Sequence, residues 1–215
     1  MAYIGSKPAN KPVVASDLDP TVITGQTALA TSPADTDEFL ISDAGVLKRL
    51  DASLVGSPGI TEADMWRLTT TIAGTNADIT ANLERVDDAS FAKIGTGVTP
   101  SSGIFSFPST GLWLIGTMAS ISFGNQADNA AVLYVKATIN NSDYDDIAFI
   151  TAGSNSSSNN SWFSVFQQQY LNVTNVSNVK VKFTTGSFDG SGSELRGDTA
   201  NNRTAFSFIR LGDSQ

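Results

Sequence analysis

Ile104-Phe-Ser-Phe107, Pro108-Ser-Thr-Gly111 and Leu112-Trp-Leu-Ile-Gly-Thr-Met-Ala-Ser-Ile-Ser-Phe123 follow one another without a break. They read as a strand, a turn and a long central strand, because Pro and Gly punctuate two apolar runs. Strand-like segments continue downstream: Ala131–Ile139, Tyr144–Thr151, Ser161–Leu171, Asn178–Thr184 with clean period-2 alternation, and Thr204–Leu211. Upstream lie Trp66–Ile72, Phe91–Ile94 and Ile79–Val86, the last with an Ala-Asn-Leu-Glu-Arg run that also fits one helical turn. About ten short strands with turn signals every 8–12 residues predict an all-β sandwich of jelly-roll type over residues 61–215. No internal repeat accompanies them.

Composition narrows the chemistry. The 215 residues include no Cys and no His. The first zero removes disulfides, thiolate nucleophiles and Cys metal sites; the second removes imidazole bases and Ser-His-Asp triads. Catalysis would have to rest on carboxylates, Lys, Tyr or hydroxyls, so the expectation is no enzyme and no cofactor. Charged residues are only 16% and the net charge is −8. Nucleic acid and anionic membrane both need a basic face, so neither is an expected partner. The run Gly111–Ile115 is too short to span a bilayer, and the N-terminus lacks the pattern of a signal peptide. The chain reads as soluble and made without secretion.

Residues 1–60 have a different character. They hold five of the seven prolines (Pro8, Pro12, Pro20, Pro33, Pro58) and two aromatics, Tyr3 and Phe39. Such a stretch forbids long helices and builds no core of its own, so it reads as an extended arm. Its one compact element is a β-hairpin over 38–51, where two apolar runs flank Asp43-Ala44-Gly45. A lone hairpin is marginal in water and must rest on a sister chain or a larger assembly.

Several polar constellations have a chemical reading beside a simpler one. Asp143, Asp145 and Asp146 could ligate an ion, but the Gly and distal Glu of a calcium loop are missing. A solvated turn is the simpler reading, and no metal site is assigned. Asp189 and Glu194 could serve as paired carboxylates for glycan cleavage, though a mobile polar loop over 186–197 accounts for them more simply. Arg196-Gly197-Asp198 spells an adhesion tripeptide too short to carry weight. The Asn/Ser tract 152–160 reads as an exposed loop on a rigid scaffold, and Trp162, Phe163 and Tyr170 beside it could stack on sugar rings. Asn155, Asn159, Asn160, Trp162, Asp189 and Arg196 are therefore the candidate receptor-loop residues. Phe105, Phe107, Trp113, Phe123, Phe206 and Phe208 are assigned to the sandwich interior or a subunit interface.

Two resemblances sharpen these expectations. Gly103-Ile-Phe-Ser-Phe-Pro-Ser-Thr-Gly-Leu-Trp113 resembles the element joining two core strands in C1q/TNF-like jelly rolls, with Trp113 where Tyr is commoner. Phe91-Ala-Lys-Ile-Gly-Thr-Gly and Asn202-Arg-Thr-Ala-Phe-Ser-Phe-Ile-Arg-Leu211 are similar to its leading and closing strands, over about residues 62–213. That resemblance implies a homotrimer about a three-fold axis. The arm resembles those of bacteriophage virion proteins, particularly of cyanophages and other marine phages. The matching stretches are Tyr3-Ile-Gly, Ala15–Leu29 and Ala34–Leu50. It implies attachment to the particle through Tyr3, Ile4, Leu18, Asp19, Pro20, Phe39, Leu40, Ile41, Leu47 and Leu50, with no catalytic residue to carry over.

The expectation is a homotrimeric virion protein of tail-fibre or spike type, made in the host cytoplasm and carried on the particle surface. Its partners would be itself, other tail, baseplate or capsid proteins, and host surface glycan. The chain lacks a long shaft, so a capsid decoration or head-fibre role is the alternative, and a carboxylate-based glycan-cleaving enzyme the remote one.

Overall fold

A computed structural model describes residues 25, 27, 33, 34, 36–55, 59–86, 91, 93–125, 127–189 and 192–215. The chain divides into two units, Met1–Ser57 and Pro58–Gln215.

In the first unit, β1 (Glu38–Asp43) pairs antiparallel with β2 (Val46–Asp51), Asp43 opposite Val46. Ala44 and Gly45 have φ of +50° and +84°. Two consecutive positive φ values give the primed turn whose twist matches a hairpin, and Gly45 supplies one of them without strain. Cross-strand ion pairs join Glu38 to Arg49 and Asp43 to Lys48. A short 3-10 turn, Ala52–Leu54, follows. Among the expected anchor residues, Phe39 and Leu40 are exposed, while Ile41 and Leu50 are half-buried. Tyr3, Ile4, Leu18, Asp19, Pro20 and the Leu47 side chain lie outside the described residues.

Among the described residues, the second unit holds twelve strands: β3 (Ala63–Leu68), β4 (Ile72–Ala73), β5 (Leu83–Arg85), β6 (Thr99–Ser101), β7 (Ile104–Ser106), β8 (Gly111–Phe123), β9 (Asp128–Thr138), β10 (Asp145–Ser154), β11 (Ser161–Val173), β12 (Lys180–Gly186), β13 (Ser193–Leu195) and β14 (Ala205–Gly212). They form two antiparallel sheets. The smaller runs β10-β9-β12-β7-β6, and the larger runs β4-β13-β8-β14-β3-β5 with β11 along the other side of β8. The central strand β8 is long enough for its C-terminal end to pair with β13 and the rest with β14.

Alternation decides what fills the space between the sheets. Trp113, Ile115, Ala119, Ile121 and Phe123 point inward from β8, and Phe206 and Phe208 from β14. Leu133, Val135, Val181 and Phe183 meet them from the opposite sheet. Phe105 sits among rings, 5.1 Å from Phe208 and 5.7 Å from Phe183, and Phe183 stacks on Phe206 at 3.7 Å. Phe105, Phe107, Trp113, Phe123, Phe206 and Phe208 are all buried within a single chain. They are core, the first of the two places expected for them.

Several boundaries differ from the sequence reading. Of the expected strand Phe91–Ile94, the described residues 91, 93 and 94 belong to no strand, and Ile94 makes an isolated bridge to Ala63. Over 79–86 only 83–85 is extended, because Asn82 has φ of +58° and turns the chain, although Ile79 and Val86 stay buried. The helical alternative there fails with it. β6 carries Pro100 and lies at the sheet edge, where a missing N–H costs no ladder bond. The following turn needs Gly103: its φ is +77°, and a Cβ would stand 1.9 Å from the Ile79 carbonyl oxygen.

The segment expected to be a mobile loop, 186–197, contains β13 and is pinned by Asp128. That buried carboxylate accepts the Asp189 backbone N–H at 3.0 Å and the Ser193 hydroxyl. A second buried carboxylate, Asp64, accepts from Arg85 Nε at 3.0 Å, Trp66 Nε1 at 3.1 Å and the Met65 N–H at 2.9 Å. Arg85 also donates to the Val98 carbonyl and lies 4.7 Å over the Trp66 ring. The pair is thus fully hydrogen-bonded, the condition under which a buried charge is tolerated.

Candidate functional site

The outward face of the larger sheet follows from register. Residues paired across antiparallel strands share a face. Phe166, Met118, Ala205 and Arg67 therefore form one row, Gln168, Gly116, Ser207 and Met65 the next, and Tyr170, Leu114, Ile209 and Ala63 a third. Phe166 is 61% exposed and Tyr170 68% exposed. Between them and β3, Met65, Gly116, Met118, Phe166, Asn202, Ala205 and Ser207 line an apolar cleft of about 150 Å³. The charges in this region are paired: Arg67 Nη2 donates to Glu84 at 3.1 Å.

Toward the start of β11 the same face turns polar. Trp162, Ser122 and Glu194 form a row across β11, β8 and β13. Four residues along a strand put Trp162 about 13 Å from Phe166. A cleft of about 190 Å³ opens here, lined by Ser122, Phe123, Gly124, Asn160, Trp162, Gly192, Glu194 and Arg196. Glu194 accepts from Arg196 Nη1 at 2.5 Å and from the Ser122 hydroxyl at 3.3 Å. The Arg196 and Arg203 guanidinium carbons lie 5.2 and 5.7 Å from the Trp162 ring centre, within cation–π range. Asn160 makes no side-chain hydrogen bond among the described residues.

Asp198 closes the flank of this region. Its carboxylate accepts the Ala200 N–H at 2.8 Å, Arg203 Nε at 3.1 Å and the Asn201 N–H at 3.1 Å. Those donors, the Ala200 amide foremost, hold its pKa at about 2. In Arg196-Gly197-Asp198 both charges are thus committed inside the molecule, Arg196 to Glu194 and Asp198 to Arg203.

Of the candidate receptor-loop residues, Asn160, Trp162 and Arg196 meet in the polar cleft, whereas Asn155, Asn159 and Asp189 do not line it. Glu194, weighed only as a partner for Asp189, is the cleft's single carboxylate. The acidic turn is divided as well: Asn140 Nδ2 donates to Asp143, and Lys136 pairs with Asp146. Among the described residues, no group of three His, Cys, Asp or Glu could hold a metal ion. On the opposite sheet, burial works to raise Asp78, but hydrogen bonds from Lys182 and Thr184 outweigh it and hold the carboxyl below its ordinary value.

The residues the sequence reading missed are Phe166, Met118, Leu114, Ile209 and Met65. One signal was present: Trp162, Phe166 and Tyr170 recur every fourth residue, which on a strand is a single face.

With the geometry in place, comparison with known proteins is informative at the level of fold. No protein-family model matches the chain, and no curated protein matches it in sequence. Among solved structures, Eiger TNF from S. frugiperda is similar over 74% of this chain and 96% of that one, at 12% identity and TM-score 0.53. The fold is a TNF-like jelly roll. Murine APRIL is similar over 70% of this chain and 98% of that one (10% identity, TM-score 0.48), and the PRD1 vertex protein over 72% and 100% (19%, 0.42). The fold assignment rests on the first of these.

Among the described residues, no helix is long and apolar enough to cross a membrane.

Proposed function

We propose that this chain is a structural protein of a bacteriophage particle, a homotrimer of tail-fibre or spike type that displays its sandwich for host attachment. The observation that carries the trimer is the exposed apolar face of β11, β8, β14 and β3. A jelly roll with Phe166, Tyr170, Met118 and Ile209 on one outer face has a surface suited to burial against copies of itself. A trimer built this way is also what the C1q/TNF resemblance implies. Residues 1–60 would hold the particle, as the resemblance of the arm to phage virion proteins implies. The exposed Phe39 and Leu40 of the hairpin supply apolar contact for a virion partner.

The role is binding, without catalysis. The polar cleft offers one carboxylate, whereas glycoside hydrolysis characteristically uses two. Three heads on one axis multiply weak contacts through effective concentration, so individually weak sites hold a particle at a cell.

Sedimentation of the purified chain, followed by electron cryomicroscopy or immunogold labelling of intact particles, tests the reading. A trimer in solution and label at the tail or baseplate are expected. A stable monomer at micromolar concentration overturns the trimer. Label spread over the head overturns the attachment role in favour of a capsid clamp.

A further inference from the structure

We infer that the cleft between Trp162, Asn160, Glu194 and Arg196 is a binding site for a neutral saccharide, a single pyranose ring or the end of a chain. The inference rests on the attachment role proposed above and specifies its ligand.

Four features of the cleft point to that chemistry. It combines an exposed indole, Trp162 at 58% exposure, with a carboxylate, a guanidinium, a carboxamide and a hydroxyl within one small opening. A sugar ring presents both partners these groups require: an apolar face of C–H bonds for the aromatic face, and hydroxyls that donate to Glu194 and accept from Arg196 and Asn160.

The polar groups are also pre-positioned. Glu194 is held by Ser122 on the adjacent strand β8 and by Arg196 just past the end of its own strand, and that strand follows the segment anchored by buried Asp128. Fixed donors and acceptors lower the ordering cost of binding.

Size limits the ligand. About 190 Å³ is below the roughly 300–1,000 Å³ of pockets that enclose drug-sized molecules, so the cleft takes one ring rather than a chain.

Charge selects against an acidic sugar, a phosphate or a sulfate. Arg196 is neutralised by Glu194, and Arg203 by Asp198, so neither cation beside Trp162 is available uncompensated. With a net charge of −8 on the chain as a whole, an anionic ligand is repelled at long range and gains no free counter-charge on arrival. Glu194 is half-buried, both of its hydrogen bonds fall on Oε2, and among the described residues Oε1 accepts none, which leaves it as an acceptor for a sugar hydroxyl.

The site lies about 13 Å along β11 from Phe166. It therefore flanks the apolar face proposed for self-association and can be altered without touching that face.

The test uses the full chain and a panel of glucose, galactose, mannose, N-acetylglucosamine and sialic acid. The Trp162 indole N–H resonance, assigned with Trp162→Phe, is followed by NMR alongside saturation transfer to each sugar. At least one neutral sugar is expected to bind at millimolar concentration and to shift that resonance, with sialic acid inert. Glu194→Gln and Trp162→Ala should each weaken binding roughly tenfold or more, with sedimentation and thermal unfolding unchanged. Phe166→Ser should leave sugar binding intact. Absence of any neutral-sugar shift at high millimolar concentration, preference for sialic acid, or unaltered binding in Glu194→Gln overturns the assignment.

The two readings fail separately. If particles lacking the chain adsorb normally while the sugar still shifts Trp162, the attachment role falls and the site stands. If adsorption needs the chain but no neutral sugar binds, the site falls alone.

Discussion

Replacing Phe166 with serine isolates the energy of the proposed trimer face. The ring is 61% exposed in one chain. An aromatic side chain buries roughly 200 Å², so about 120 Å² remains to be covered. At about 25 cal/mol per Å², full coverage is about 3 kcal/mol per protomer. If half of that area is covered in the trimer, each protomer loses about 1.5 kcal/mol and the trimer about 4.5, roughly a thousandfold or more in association constant. Phe149 on β10 is the matched control, because it is 59% exposed but belongs to the smaller sheet. Sedimentation velocity from nanomolar to high micromolar concentration reads both variants against the parent chain. Phe166→Ser should shift the midpoint of trimer dissociation upward by an order of magnitude or more, and Phe149→Ser should leave it in place. A parent chain that is monomeric throughout refutes the reasoning. So does a Phe149→Ser variant that dissociates as readily as Phe166→Ser, since exposure alone would then explain both.

Two further outcomes follow from the buried and flanking charges. Arg85→Ala leaves the Asp64 carboxylate inside the sandwich with two neutral N–H donors and no counter-charge. Arg85 is a third exposed, so the cost falls at the low end for a broken buried pair, about 3 kcal/mol, or roughly 6–12 °C in Tm by calorimetry; an unchanged Tm would remove the pair from the fold's supports. Asp198 has its pKa held at about 2 in the folded chain against an ordinary 3.8. A depressed carboxyl stabilises the folded state above 3.8 and loses that contribution as pH falls from there through 2. In an NMR titration, the Ala200 and Asn201 amides should shift with a midpoint near 2, and Asp198→Asn should abolish that step; a midpoint near 3.8 contradicts the geometry.

How much of this was legible beforehand depended on whether the two faces of each strand differ. Phe105, Phe107 and Trp113 announced a core because Pro108 and Gly111 place an unambiguous turn between the two apolar runs that carry them. β12 was legible for the same reason, with Lys180 and Lys182 alternating against buried Val181 and Phe183. β8 offers no such contrast: Leu112, Leu114 and Met118 face out while Trp113, Ile115 and Ile121 face in. When both faces are apolar, period 2 says that two faces exist but not which is inside. The aromatics of β14 were therefore offered to both the interior and the interface, and they lie in the interior. β6 was hidden by Pro100, because a turn residue at a sheet edge looks the same as one in a loop, and β13, three residues long between β4 and β8, was hidden by its Gly/Ser neighbours. The cleft depends on pairing between β11, β8 and β13, which brings residues 122, 162 and 194 into one row. No local pattern carries that distance in sequence.

The division of the outer face into an apolar part and a polar end follows from what each has to do. Three chains of charge −8 repel one another, yet at physiological salt that repulsion decays over about 8 Å. What decides association is thus the local surface. The charged groups within the apolar rows are paired, Arg67 with Glu84, so covering Phe166 and Met118 strands no bare charge. At the other end, the row of Ser164 and Ser120 separates these rows from Trp162, whose own row carries Ser122. Small hydroxyl residues there supply little apolar area to extend the interface and leave Trp162, Glu194 and Arg196 wet at its margin. On the proposed reading, that composition keeps the ligand site accessible at the rim of the self-associating face, so that association and binding would not compete for one surface.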